Sequence, residues 1–127
     1  MGLFFMVTLG GAVGTAARFL LGVSIQSAAG GNFPAGTLSV NLIGSFFISM
    51  LMYLGVDKGL IATPTRIVLC TGVLGGFTTY SSFNYETVKL AQDGAFSIAA
   101  LYVAVMLLGC LVAGFAGFWV GRLVVGG

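Results

Sequence analysis

Histidine is absent from this chain of 127 residues, and only three residues are acidic. Metal centres and general acid–base catalysis in soluble enzymes depend on clusters of His, Asp, Glu and Cys side chains, so this composition excludes most soluble enzyme chemistry. Charged residues make up 6% of the chain, whereas a soluble domain has about 25%. The two cysteines, Cys70 and Cys110, lie within apolar runs, which argues against a disulfide framework. The composition therefore predicts a membrane protein that is not an enzyme.

Hydrophobic residues make up 58% of the chain and fall into apolar segments of about 20 or more residues, the length that crosses a bilayer. We predict four spans, at residues 3–25, 34–56, 64–90 and 94–124. The amino terminus lacks the basic start and the cleavage site of a signal peptide, and its apolar run is too long for one, so it is interpreted as the first span. The sequence thus predicts a single all-α membrane domain, residues 1–127, of four transmembrane helices.

The third segment carries two adjacent glycines, Gly75 and Gly76, followed by a run of hydroxyl and aromatic residues up to Phe83. Glycine costs about 1 kcal/mol relative to alanine inside a helix, and Ser and Thr offer the backbone competing hydrogen bonds. We therefore expect a broken helix, with one half ending near Gly75 and the other beginning near Ser81. Backbone groups freed at membrane depth need a polar partner, such as an ion. A Gly/Ser-rich packing seam between helices is the alternative.

A polar stripe follows one face of the second span, because four polar residues recur every four positions: Thr37, Asn41, Ser45 and Ser49. Hydroxyl and amide groups in line can replace part of an ion's hydration shell without holding the ion tightly, as conduction requires. A polar seam between two helices explains the same pattern.

Small residues recur at the same spacing in the first and last spans, in two rows: Gly10, Gly14 and Gly22, then Gly109, Ala113, Gly117 and Gly121. Such rows predict close approach of helix backbones. Arg18 lies in the first row. It either extends to the lipid headgroups as an anchor or contributes to an electropositive vestibule.

Beyond the expected break, Tyr80 and Phe83 lie three residues apart and share a face if the helix resumes there. Their ring edges carry partial positive charge and can point at an anion, although core packing is the alternative. Glu86, Lys89 and Asp93 follow in a pattern typical of a salt-bridged helix end.

The basic residues are almost evenly divided between the two sides of the membrane. With four spans, one side carries Lys58, Arg66 and Arg122, and the other carries Arg18 and Lys89. Orientation follows the Lys/Arg bias, and this bias is small. We therefore expect insertion in both directions and an antiparallel homodimer.

The chain resembles the Fluc family of small microbial fluoride channels over nearly its whole length. The matching segments are residues 10–14 leading to Arg18, residues 36–42, and residues 72–86, the last being the most specific. The resemblance implies a dual-topology homodimer in the microbial cytoplasmic membrane that lets fluoride leave the cell passively. Its partners would be fluoride, membrane lipid and a second copy of the chain, with no nucleic acid.

The resemblance also implies two parallel pores and a structural sodium ion at the dimer centre, held by the backbone carbonyls of Gly75 and Thr78. The pore asparagine of the family falls on Asn41, and the aromatics of the pore fall on Tyr80 and Phe83. Further pathway positions are Thr37 of the stripe, Ser81 or Ser82, Glu86 and Tyr102. The family usually has Phe where this chain has Tyr80, which puts an all-phenyl pore lining in doubt.

Composition and spacing alone do not select fluoride over chloride or water. A small proton-coupled multidrug exporter shares the size and the expected dual topology, but it needs a membrane-embedded carboxylate, for which Glu86 is the only candidate. A non-transporting membrane assembly subunit would explain the glycine rows, but not a polar stripe beside a broken helix.

Overall fold

A computed structural model describes residues 1–126, and over that range the chain is helical and contains no β-strand. The predicted all-α class is therefore confirmed. The helices are α1 (Gly2–Ala29), α2 (Ala35–Met52), α3 (Thr63–Ile67), α4 (Gly75–Phe77), α5 (Tyr80–Gln92) and α6 (Phe96–Val124). Two π-helical segments complete them: Tyr53–Asp57 continues α2, and Val68–Leu74 joins α3 to α4.

Three continuous helices are long and apolar enough to cross a membrane: Gly2–Ala29, Ala35–Asp57 and Phe96–Val124. The third predicted span is not continuous, because extended backbone at Thr78 (φ −91°, ψ 159°) and Thr79 (φ −153°, ψ 114°) separates α4 from α5. We call these two residues the break. The first half ends at Phe77, close to the expected end near Gly75, and the second begins at Tyr80, next to the expected start near Ser81.

The break lies at the two threonines and not at the two glycines, for a packing reason. Gly75 keeps helical backbone angles (φ −62°, ψ −38°). A Cβ on Gly76 would stand 2.4 Å from the carbonyl oxygen of Gly11, and one on Gly14 would stand 1.9 Å from that of Val73. The backbones of α1 and the third span therefore touch, as the glycine row of α1 predicted.

Helix α2 is the central element of the fold. A Cβ on Gly36 would stand 2.4 Å from the carbonyl oxygen of Gly22 in α1, and one on Gly44 would stand 2.1 Å from Cγ2 of Thr78 in the break. On the opposite side, Gly117 of α6 packs so closely that a Cβ would stand 1.9 Å from the carbonyl oxygen of Phe46. The glycine row of the last span is thus a close-packing ridge, as predicted.

The main apolar core lies between α5 and α6 and contains Phe83, Leu90, Ala99, Tyr102 and Met106. Large apolar side chains elsewhere on α1 and α6 are exposed; a protein that spans a membrane presents such faces to lipid or to a second subunit. At the end of α5, Lys89 and Asp93 form the ion pair that their spacing predicted.

Candidate functional site

Asn41 lies on α2 directly opposite the break. Its Oδ1 accepts a hydrogen bond from the N–H of Thr79 at 2.8 Å, and its Nδ2 donates to the carbonyl oxygen of Thr79 at 2.9 Å. Both residues are buried, each with 9% of its surface exposed. A single amide therefore satisfies both backbone groups of a buried, extended residue.

The hydroxyl of Thr79 caps the N-terminus of α5. It accepts a hydrogen bond from the N–H of Ser82 at 3.2 Å and donates to Oγ of Ser82 at 3.0 Å, with Oγ of Ser81 at 3.4 Å. This is a side-chain N-cap, which the sequence favours because threonine is a good capping residue. Three hydroxyl groups thus cluster at the positive end of the α5 dipole, where partial negative charge is stabilised.

These hydrogen bonds leave two carbonyl groups, one in the break and one in α4, without their helical donors. In a continuous helix the N–H of Thr79 would bond the carbonyl of Gly75, and the N–H of Ser82 would bond that of Thr78. Here the first N–H donates to Asn41 and the second to the Thr79 hydroxyl. The oxygens of Gly75 and Thr78 are therefore released, and Gly75 lies on the exposed surface. Two such oxygens suit a hard cation.

A cavity of about 580 Å³, here called the break cavity, lies beside these residues. It is lined by the stripe residues Asn41, Ser45 and Ser49, by Gly75, Thr78, Tyr80 and Phe83, and by Met106 and Cys110 of α6, among others. The rings of Tyr80 and Phe83 meet edge to face with centroids 5.6 Å apart, so the two residues do share a face. Phe83 is 6% exposed, whereas Tyr80 is 74% exposed.

A second cavity of about 520 Å³, here called the vestibule, lies on the other side of the break. Its polar lining comprises Thr15, Arg18, Gln26, Asn32, Thr37, Thr79, Ser82 and Glu86. Thr79 lines both cavities, so the Asn41–Thr79 pair lies between them. Arg18 is among the residues that line this cavity, and its two predicted roles, as an anchor or as part of an electropositive vestibule, stay predictions.

Glu86 receives hydrogen bonds on both carboxylate oxygens. Oγ1 of Thr37 donates to Oε1 at 2.7 Å, and Oη of Tyr102 donates to Oε2 at 2.7 Å. Tyr102 is fully buried, and its ring packs edge to face with that of Phe83, with the two ring centroids 5.2 Å apart. This carboxylate links α2, α5 and α6 beside the vestibule and takes no part in the Lys89–Asp93 ion pair.

The structure thus brings the predicted site residues into two adjoining groups. The break cavity is lined by Tyr80, Phe83, Gly75 and Thr78. The vestibule is lined by Thr37, Ser82, Glu86 and Arg18, and Asn41 faces Thr79 between the two cavities. Ser81 is exposed beside the N-cap of α5, and Tyr102 is connected to the vestibule through its hydrogen bond to Glu86. Sequence reasoning missed Met106, whose Sδ lies 3.6 Å from Nδ2 of Asn41, since a methionine in an apolar helix carries no distinguishing signal.

A family model described as CrcB-like protein, Camphor Resistance (CrcB), matches residues 5–118. Two relatives named "Fluoride-specific ion channel FluC" align over nearly the full length. The relative from Anaeromyxobacter sp. strain K is 44% identical over 121 residues, 95% of this chain and 96% of that protein. The relative from Sorangium cellulosum is 42% identical over 124 residues, 98% of this chain and 98% of that protein.

Proposed function

This chain belongs to the family of CrcB-like proteins, and from that premise we propose that it is a passive fluoride-selective channel. It is a multi-pass membrane protein and not an enzyme. The observation that carries the proposal is the alignment, over nearly the whole chain, with relatives named for a fluoride-specific ion channel. The channel lets fluoride leave the cell down its gradient and so relieves fluoride toxicity.

The proposed route runs from the vestibule, past the Asn41–Thr79 pair, into the break cavity beside Tyr80 and Phe83. Its support is that Thr79 lines both cavities and that the groups around it are neutral donors. An anion stripped of water needs such donors, and neutral groups allow release because they do not bind it tightly. Arg18 in the vestibule raises the local concentration of anions.

The proposed assembly is an antiparallel homodimer of chains inserted in opposite directions. Its support is the nearly even division of Lys and Arg between the two sides, three against two, and the exposure of Tyr80 at the functional site. A large aromatic side chain that is 74% exposed beside a pathway is incompletely enclosed by one chain. A second copy that covers Tyr80 and Gly75 would complete both the pathway and the wall around the break.

The proposed cofactor is a structural sodium ion at the dimer centre, held by the carbonyl oxygens of Gly75 and Thr78 from each chain. Its support is that the N–H groups that would bond these oxygens in a helix donate elsewhere. Carbonyl oxygens without a neighbouring carboxylate suit a monovalent hard cation better than calcium. Each chain would supply half of the ligands.

The proton-coupled exporter is not supported by the surroundings of Glu86. Both of its oxygens accept hydrogen bonds, one from Thr37 and one from Tyr102, so this carboxylate joins α2, α5 and α6. A proton-coupled exporter would have to break these bonds when a proton or a cationic substrate binds.

Flux from liposomes tests the proposed function. Purified protein is reconstituted in liposomes loaded with potassium fluoride, and external fluoride is followed with an electrode after addition of valinomycin. We expect rapid fluoride efflux, far above the chloride efflux measured in matched potassium chloride liposomes. Comparable rates for the two ions would refute fluoride selectivity, and protein-free liposomes are the control.

A further inference from the structure

A third cavity, here called the interfacial groove, lies between the ends of two membrane spans and has a volume of about 640 Å³. Asp57 ends the span Ala35–Asp57, and Arg122 lies in the last turn of α6; both line the groove. The two ends lie side by side, since a Cβ on Gly121 would stand 3.0 Å from the ring of Tyr53. The groove therefore opens where apolar helices end, at the depth of the lipid headgroups.

The groove presents one positive and one negative side chain that do not neutralise each other. Asp57 and Arg122 are both exposed, and the only ion pair among residues 1–126 joins Lys89 to Asp93. The guanidinium carbon of Arg122 lies 5.4 Å from the centre of the Trp119 ring. A guanidinium that stacks on a ring keeps its N–H donors at its edges, where they can still bind an anion.

Aromatic side chains at this end indicate the same depth independently. Trp119 is 58% exposed, and the buried ring of Tyr53 packs edge to face on Phe118 with centroids 4.8 Å apart. The ammonium group of Lys58 lies 5.7 Å from the centre of the Tyr53 ring. Tryptophan and tyrosine are enriched at membrane–water interfaces, where basic side chains also reach the headgroups.

The apolar wall of the groove continues along one face of α6. Leu111, Phe115, Trp119 and Arg122 follow one another at spacings of four, four and three residues, and all four line the groove and are exposed. Eleven residues of helix rise by about 16 Å. The hydrocarbon core of a bilayer is about 30 Å thick, so this face extends through about one leaflet.

We propose that the interfacial groove binds one molecule of phosphatidylethanolamine. Its phosphate accepts hydrogen bonds from Arg122, its ammonium group donates to Asp57, and an acyl chain lies along Phe115 and Leu111. This lipid matches the groove because it carries an anion, a hydrogen-bond-donating cation and an apolar chain in that order. A free phosphate ion would leave Asp57 and the apolar wall without a partner. The binding does not rest on the proposed channel function.

The groove should discriminate between lipids by their headgroups alone. Phosphatidylcholine has the same phosphate, but its quaternary ammonium group has no N–H to donate to Asp57. Phosphatidylglycerol has the phosphate without any cation, so Asp57 repels it. The purified full-length chain is placed in mixed micelles with one of these three lipids, all with identical acyl chains, and bound lipid is measured by native mass spectrometry. We expect one phosphatidylethanolamine per chain, and phosphatidylcholine bound about three to five times more weakly.

Two variants of exposed residues separate the two headgroup contacts. Asp57→Asn should bind phosphatidylethanolamine and phosphatidylcholine equally and should bind phosphatidylglycerol better than the parent does. Arg122→Gln should bind all three lipids about tenfold more weakly, because it loses the charge-assisted bonds to the phosphate. Asp93→Asn is the matched control, since it removes an acidic charge at the opposite side of the membrane, and it should keep the preference of the parent.

Three results would overturn the proposal. The first is equal binding of phosphatidylethanolamine and phosphatidylcholine by the parent, and the second is an unchanged preference in Asp57→Asn or an unchanged affinity in Arg122→Gln. The third is a fall in dimer fraction in Trp119→Ala with lipid binding unaltered, which would assign the groove to a second copy of the chain. A parent that binds the lipid as expected but conducts no fluoride would refute the channel function and leave this site established.

Discussion

Asn41 and Thr79 exchange two hydrogen bonds across 38 positions of sequence, so that one amide of α2 replaces the partners that the break removes. The same exchange draws the N–H of Thr79 away from the carbonyl of Gly75. The proposed pore residue and the proposed cation ligand are thus parts of one hydrogen-bonded unit. A change at Asn41 should therefore affect both.

The first prediction is that Asn41→Asp abolishes fluoride flux. The carboxylate still accepts from the N–H of Thr79, but it cannot donate to the Thr79 carbonyl and places a negative charge beside the anion route. A buried carbonyl left without a donor also costs about 1–3 kcal/mol of stability. Flux and gel-filtration profile are measured together, with Ser39→Ala on the same helix as control. Full activity in Asn41→Asp would show that Asn41 has only a packing role.

The second prediction is that Tyr80→Phe conducts about as well as the parent. Within residues 1–126 the Tyr80 hydroxyl has no hydrogen-bond partner, and the ring meets Phe83 through an edge that phenylalanine retains. Tyr80→Ala, which removes the ring, should impair flux strongly. Both variants are compared in the liposome assay. A large loss in Tyr80→Phe, with dimerisation intact, would mean that the hydroxyl itself contacts the ion.

The third prediction separates two neighbouring glycines. Gly76→Ala should destabilise the fold by roughly 1–3 kcal/mol, because its methyl group would meet the backbone of Gly11 in α1. Gly75→Ala has room within the chain, since the nearest atom to its added Cβ is 3.7 Å away. Thermal unfolding in detergent compares the two variants. Equal melting temperatures would show that the close contact between α1 and α4 does not limit the stability of the fold.

Loss of flux from Gly75→Ala in a chain that remains stable would place its effect outside the single chain, at the dimer or the cation.

The fourth prediction concerns sodium. Prolonged removal of sodium should reduce flux and weaken the dimer, because the oxygens of Gly75 and Thr78 would then lack a partner. Thr78→Val should behave as the parent, since the Thr78 hydroxyl donates only to the carbonyl of Leu74 and the ligand is the backbone oxygen. Flux and dimer fraction are followed during exchange into sodium-free buffer. No change in either would remove the proposed site.

The sequence predicted a break between Gly75 and Ser81, and the observed break at Thr78 and Thr79 lies within that interval. Local propensity disfavours helix at Gly75 and Gly76, yet both remain helical because α1 packs directly on α4. The extended residues are Thr78 and Thr79, where a side-chain cap and the Asn41 amide supply the lost partners. The cap lies within the local sequence, whereas Asn41 is 38 positions away, so no local pattern contains that second partner.

The polar stripe also shows that a local sequence pattern predicts the face on which a residue lies but not the partner that it contacts. Its spacing correctly placed Asn41, Ser45 and Ser49 along one cavity. The spacing could not indicate that Thr37 would line a different cavity and donate a hydrogen bond to Glu86 there. Helical periodicity fixes the face on which a residue lies, whereas its partner depends on how the other helices pack.

The π-helical segment Val68–Leu74 sets the angular position of everything that follows it in the third span. A π turn holds one residue more than an α turn, and one residue corresponds to about 100° of rotation about the helix axis. If this segment adopted α-helical winding with the same number of residues, Thr79 would rotate away from Asn41. Deletion of one residue together with that change would largely restore the orientation, so the azimuth of the pathway depends on the match between residue number and helical winding in this segment.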